Sequence, residues 1–520
     1  MRKTLVQFSE EVISGVNPDL GGAPDKAPLW VDGRNVVFED GQVRPMVGQF
    51  IYAGLPDDCI GLPGTGITEI IQGGAKVLFW GSPSRSADSC QGRLLRWEEL
   101  NTTVVDVSRV AAIQKVAFAG IGTNDLTTGG AYTGDAEEVY DVEIVDAGAT
   151  PQTFRWKKQS SGSYEATANL STTLISLANG DGVQVKWNST TGHQAGDTWT
   201  FAVNPHGYVG TGVWSLAVWG EQVIATNGVD RPQIYGYTGA TTKFQDICGI
   251  VGSSGLLVSD RANIAETMGP FIFLVNLNTN NQALRWGDED SAIVWNPLAA
   301  NFAGDLAVRA LNSEIIAVSR LGGLLAVYGE DQVHGVAFVG GQLVHSQRHL
   351  VDNIGAISSQ AVVSVGMLNY GMGRRGFWQT NGNTAKYLDQ DRVHDFVYQN
   401  LNLDAVDQIC SWVSPTASTI HWSVPLYGAT NNNITVAYNF RYDAWSIMDY
   451  GVASATSGVI FPSTRYVATN GSPLEESPEA SGLSFGSPVI LTPGLTYNAG
   501  YGVGGYGQGG YGTGVLAGNG

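Results

Sequence analysis

Two histidines four residues apart, His345 and His349, stand in the segment HSQRH. On a helix that spacing puts both imidazoles on one face, where they could share a metal ion. The surrounding GGQLVHSQRHLVDNIGA reads as strand and turn. On a strand, residues four apart lie about 13 Å from each other, too far for one ion. A second group, DQDRVHDF, gathers Asp389, Asp391, His394 and Asp395. Acid–base catalysis needs such groups to converge in a pocket. Side chains on consecutive residues face different ways, so the expectation is a solvated turn before a short helical DFVYQNL. A third group, Asp288-Glu289-Asp290 in WGDEDSAIVW, lacks the alternating ligand spacing of a calcium loop and reads as an exposed acidic turn.

The remaining reactive signatures are missing. There is no Gly-x-Ser-x-Gly elbow, P-loop or dinucleotide fingerprint, and no repeated Ser-x-Asp-x-Gly-x-Thr-Trp turn of a sialidase-like propeller. GVGGYGQGG is glycine-rich, but no Lys-Ser/Thr follows it and no strand–helix context surrounds it, so it is no phosphate cradle. The sequence therefore predicts a protein that is not an enzyme, with no catalytic residue, no metal and no cofactor.

The elements that would carry any site are strands. Glycine (68), tryptophan (14) and tyrosine (20) are plentiful, and charged residues make up 14% of the 520. NVVFEDGQVRP is a compact hairpin, its Asp40-Gly41 suited to the positive φ angles of a tight turn. VWSLAVWGEQVIATNGVDRPQIYGY repeats that grammar. The pattern returns at the length of one four-stranded blade, about 40–50 residues, in GPFIFLVNLNTNNQALRWGDEDSAIVWNP, IIAVSRLGGLLAVYGEDQVHGVAFVGG, VVSVGMLNYGMGRRGFWQTNGNTAKYL and TIHWSVPLYGATNNNITVAYNFRYDAWSIMDY. The predicted class is all-β: a propeller-like body of six to eight blades, with stacked β-sandwiches as the alternative. Trp286, Trp295, Trp412 and Trp422 read as blade core.

Between Phe118 and Ala202 the composition shifts toward Thr, Ser and Asp, and VYDVEIVDAG, TFRWKKQSSG and VQVKWNSTTGHQAGDTWTFAV read as an inserted β-sandwich. DVSRV before it and GYVGTGVWSLAVWG after it are expected to be neighbouring parts of one blade. The predicted organisation is an N-terminal arm (1–29), a first propeller part (30–117), the insert (118–203), the rest of the propeller (204–455), and a linker with a Gly/Tyr-rich segment (456–520). The linker reading rests on NGSPLEESPEASGLSFGSP.

A net charge of −19 argues against tight phosphate binding, which needs Lys/Arg neutralisation. Cys59, Cys90, Cys248 and Cys410 are scattered without a CxxC pair and read as free thiols. The N-terminus meets Glu10 and Glu11 too early for a signal peptide, and no apolar run approaches the length of a membrane span. Synthesis in a cytosol without export is the expectation.

APLWVDGRNVVFEDGQVRPMVGQ, VWSLAVWGEQVIATNGVDRPQIY, LRWGDEDSAIVWNP and YGMGRRGFWQTNGNTAKYL resemble the tail nozzle (tail tubular protein B-like) proteins of short-tailed bacteriophages. AYNFRYDAWS is similar to the closing blade of that family, and the Tyr/Gly tract to its glycine-aromatic repeats. The resemblance spans roughly residues 25–110 and 205–515. The insert is similar to small β-sandwich modules of phage structural proteins. The resemblance implies a virion tail protein, made in the host bacterial cytoplasm and assembled as a hexameric ring below the adaptor that joins tail to portal. It implies contacts with that adaptor and with a tail fibre or tailspike, and a channel and gate through which double-stranded DNA passes without specific binding.

A second class stays open: a carbohydrate-binding or carbohydrate-degrading propeller. Its sugar-stacking platform would be Trp156, Trp187 and Trp199, expected to be exposed on the insert; a structural body with a binding insert would combine the two. Tyr497, Tyr501, Tyr506 and Tyr511 lie in a tract with no Lys or Arg between Tyr497 and Gly520. Nucleic-acid tracts interleave aromatics with basic residues, so these tyrosines are candidate assembly contacts, amphipathic area on a backbone free to approach a neighbour closely.

Overall fold

Glycine and tryptophan are packed against each other in this chain, and that pairing shapes its strands. A Cβ on Gly81 would meet the Trp214 ring at 2.2 Å, one on Gly304 the Trp286 ring at 2.5 Å, and one on Gly371 the Trp378 ring at 2.3 Å. Gly304 and Gly371 sit directly across a strand pair from Trp286 and Trp378. The indole N–H groups find backbone carbonyls: Trp214 donates to Ser82 (3.1 Å), Trp286 to Phe302 (2.7 Å) and Trp378 to Gly355 (2.7 Å). A missing side chain makes room for a large ring, and the ring's one polar atom is satisfied.

A computed structural model describes residues 30–39, 42–45, 48–51, 65–72 and 75–82, most of 91–457, and strands at 464–468, 473–477 and 491–493. It holds seven four-stranded antiparallel sheets. Their first strands are Thr65–Gln72, Ser215–Trp219, Ala262–Met268, Ala317–Leu321, Val362–Val365, Cys410–Ser414 and Val452–Ser457. Each first strand contacts the next, and Val452–Ser457 contacts Thr65–Gln72, so the ring closes. The fold is a seven-bladed β-propeller.

The closing blade differs from the sequence expectation. Val452–Ser457, Thr464–Ala468 and Pro473–Ser477 supply three strands, and Gly48–Ile51, from the other end of the chain, supplies the outermost. PLEES, predicted as linker, is thus the third strand of blade seven, and the propeller runs to Ser477. AYNFRYDAWS belongs to blade six, where Ile434–Asn439 pairs with Ala444–Met448. Before the closing strand, the hairpin Val36–Glu39/Gln42–Pro45 packs on blade six. There Val36 and Phe38 join the core around Trp422 and Ile447.

The insert occupies Ala112 to Asn204. One sheet is built on Glu138–Asp146, Thr153–Lys158 and Thr198–Asn204, the other on Leu126–Gly130, Ile175–Ser176 and Val183–Trp187. Burial alternates strictly along VQVKW, with Val183, Val185 and Trp187 inward, as expected of strands with one face on a core. The insert interrupts the passage from the last strand of blade one, Asn101–Asp106, to the first strand of blade two, rather than the interior of one blade. First strands of adjacent blades run in one direction: Ser215 contacts Ala265 and Val218 contacts Thr267. The insert therefore rises from the face where first strands begin. The turns between first and second strands, and between third and fourth, lie on the opposite face.

Candidate functional site

Where the insert joins the propeller, charged residues converge. Arg109, just before the insert, is 2% exposed. Its guanidinium lies 2.6 Å from Glu137 of the insert, 3.1 Å from Asp230 and 3.2 Å from Asp246 of blade two. Its Nε donates to the Gly207 carbonyl (2.9 Å), and the group sits over the Tyr208 ring at 4.9 Å. Arg231, also buried, reaches Asp246 at 3.1 Å and Glu137 at 3.8 Å, and Arg261 reaches Glu137 at 2.7 Å. Three arginines thus face three carboxylates.

The local chain explains the positions. In NGVDR, Asn227 turns the backbone and accepts from the Val229 and Asp230 N–H groups at 3.1 and 2.8 Å, an Asx turn that aims Asp230 inward. Asp230 in turn accepts from the Val209 and Gly210 N–H groups at 3.2 and 2.9 Å. Asn204, at the end of the insert, donates to Asp246 at 2.7 Å. Burial alone would raise the Asp246 pKa and lower that of Arg109. The mutual attraction outweighs it: Arg109 and Arg231 hold Asp246 below the usual carboxylate range, and Asp246, Glu137 and Asp230 hold Arg109 firmly protonated. The opposed charges tie the segment before the insert and Glu137 of the insert to blade two. The cluster's chemistry is to fasten.

Beside this junction lies a cleft of about 350 Å³ lined by Glu137, Glu138, Arg231, Arg261 and Asn278. On the opposite face, a groove of about 630 Å³ runs between blades two and three, lined by Trp219, Glu221, Gln222, Pro270 and Asp290.

The structure separates the residues singled out from sequence. His345 and His349 share the strand Val344–Asp352. His345 is buried edge-on against Phe271, Phe273 and Trp286, with neither ring nitrogen hydrogen-bonded, and burial lowers its pKa to about 4. His349 is exposed and pairs with Asp352 at 2.9 Å. Among the described residues, no three His, Cys, Asp or Glu side chains form a metal-binding group.

Asp389 corrects the solvated-turn expectation. It is fully buried, 2.9 Å from Nδ1 of His394. Burial raises its pKa against the opposing pull of that histidine. His394 opens the short helix His394–Tyr398 and stacks on Tyr398; its Asp395 neighbour is exposed. No described serine, threonine or cysteine hydrogen-bonds to His394, so the pair lacks the nucleophile that a triad requires. In the acidic turn, Asp288 accepts from the Glu289 and Phe302 N–H groups at 2.9 and 2.8 Å, while Glu289 and Asp290 are exposed.

The insert aromatics are likewise corrected. Trp156, Trp187 and Trp199, expected on the surface, are buried together in the sandwich core with Tyr140, Phe154 and Phe201. The period-two alternation around each could have shown it. Tyr497, Tyr501, Tyr506 and Tyr511 lie outside the described residues. Cys248 and Cys410 are free thiols, with Cys59 and Cys90 outside the description. Among the described residues, no helix is long and apolar enough to cross a membrane.

No protein-family model and no curated protein sequence matches the chain. Solved structures similar to it include the Neurospora crassa Pan2 WD40 domain (TM-score 0.32, 6% identity, covering 85% of this chain and 97% of that one). BamB from Moraxella catarrhalis is another (0.31, 11%, 52% and 85%), as is a chain of the mitotic checkpoint complex (0.30, 11%, 50% and 87%).

Proposed function

We propose that the chain is a non-enzymatic structural subunit of a short-tailed bacteriophage tail, a nozzle protein that assembles as a ring and conducts the genome. The observation that carries this reading is the junction cluster: its charges are spent on fixing the insert to one face of the propeller. Three arginines paired against three carboxylates, with Arg109, Arg231, Asp230 and Asp246 buried, suit a part that holds shape rather than one that turns over a substrate. The sequence resemblance falls on the structural framework. It covers the closing strand and its hairpin, blade two with the Asx turn, the Trp286 turn of blade three, and blade five. A net charge of −19 per chain suits a conduit that DNA must traverse without sticking.

Negative-stain imaging of the purified chain, alone and with the neighbouring tail proteins, tests this reading. Rings are expected, and truncation after Thr496 should weaken them while leaving the propeller folded. A chain that stays monomeric with every tail partner refutes it.

The carbohydrate reading has lost its platform on the insert. The Trp219 groove gives it another, since a half-buried indole beside Glu221, Gln222 and Asp290 offers a face for stacking and acceptors for hydroxyls. A glycan array with Trp219→Ala as control decides it.

A further inference from the structure

The third and fourth strands of blade four, Gln332–Gly340 and Val344–Asp352, are nine residues each. The second strand pairs with the third only as far as Leu325↔Val336. Beyond that the two continue alone as a ribbon, through Ala337↔Ser346 and Phe338↔His345 to a tip at residues 341–343. From Gly335 to Val344 the ribbon carries no ionisable residue. Gly340 and Gly341 take φ of 72° and 64°, and Val344 takes 52°, a left-handed conformation uncommon for a β-branched residue. The tip is thereby narrow and sharply folded. It presents Phe338 (55% exposed), Val339 (53%) and Leu343 (71%) to solvent. Beneath it, Phe338 leans on Phe271 and on the buried His345 ring.

Three clustered apolar side chains on a solvent-facing tip call for an occupant. Their exposed area is roughly 300 Å², well short of the ~800 Å² per partner of a stable protein interface. A bilayer sets no such threshold, because each inserted side chain adds its own transfer free energy. Exposed Arg348 pairs with Gly335, three ladder positions below Phe338↔His345, or about 10 Å down the ribbon. That matches the depth at which an arginine meets lipid phosphate when the tip is buried.

We propose that the ribbon tip is a lipid-contacting element: Phe338, Val339 and Leu343 enter the acyl region of a phospholipid bilayer while Arg348 meets the headgroup phosphates. The tip is on the face opposite the insert, so bilayer contact leaves the insert directed away. This goes beyond the nozzle reading and does not depend on ring formation.

The test is co-sedimentation of the full chain with phosphatidylcholine vesicles, chosen because anionic lipids would repel a chain of charge −19. The wild type is expected to bind. Val339→Asp with Leu343→Asp is expected to lower the bound fraction at least about tenfold. Both side chains face solvent, so an unchanged melting temperature should confirm the fold. A wild type that does not bind overturns the proposal, as does equal binding by the variant. Sedimentation velocity provides a further check: if the substitutions dissolve a self-associated state and leave vesicle binding unchanged, the tip is a contact between copies and the lipid assignment fails.

Discussion

Replacing Arg109 with methionine tests whether the junction cluster holds the insert to the propeller. Methionine keeps much of the side-chain volume and removes the charge and all three ion pairs. Glu137, Asp230 and Asp246 would then share two arginines, leaving one buried carboxylate uncompensated. Asp230 keeps its bonds from the Val209 and Gly210 backbone N–H groups and from the Asn227 side-chain amide but loses its ion pair with Arg109. Breaking a buried pair by removing one partner costs about 3–5 kcal/mol. Here the upper half applies, because the Gly207 carbonyl also loses its donor. Chemical denaturation followed by tryptophan fluorescence reads the effect. The midpoint should fall, and hydrogen exchange should rise first in residues 106–112 and 204–210, which flank the insert. Asp246→Asn in the same background should cost less than it does alone, since contacting charges couple by about 0.5–3 kcal/mol. A loss below about 1 kcal/mol, or additive substitutions, would refute the fastening role.

Gly371→Ala would drive a Cβ to 2.3 Å from the Trp378 ring, and overpacking of this kind costs about 1–3 kcal/mol; an unchanged melting temperature would contradict the Gly–Trp packing. Burial lowers the pKa of His421 to about 3 and that of His345 to about 4. The unfolded chain therefore takes up protons that the folded chain refuses, and their contribution to stability is intact above pH ~6.5 and declines as pH falls toward 4, by up to about 1.4 kcal/mol per histidine per pH unit. His421→Phe should flatten the melting curve's dependence on pH over that window; an identical slope would show that other groups control it. Deleting residues 1–51 removes the strand that completes blade seven, and is expected to lower the melting temperature and open blades seven and one to protease; wild-type resistance would mean that the closing strand contributes little.

The blades were legible because each is a run of local hairpins, where turn residues and alternating apolar positions lie within a few residues of what they pair with. Blade seven was not. Its outermost strand is GQFI, more than 400 positions from PLEES, and a short, largely polar strand such as PLEES looks like a linker until the distant partner on its far side is known. Trp187 and Trp199 show a pattern present but misjudged: VQVKW places Trp187 on the face of Val183 and Val185, so the indole belonged to the core however well it would have suited a sugar. Asp389 and Arg109 show the reverse. Nothing local separates a buried charge from a solvated one, because what permits burial is a partner elsewhere. His394 happens to lie five residues on, whereas Arg109 is matched at 137, 230 and 246. Electrostatic sites built across a ring of blades are non-local by construction, and so the junction that distinguishes this propeller from a bare ring of sheets was the part its sequence could least announce.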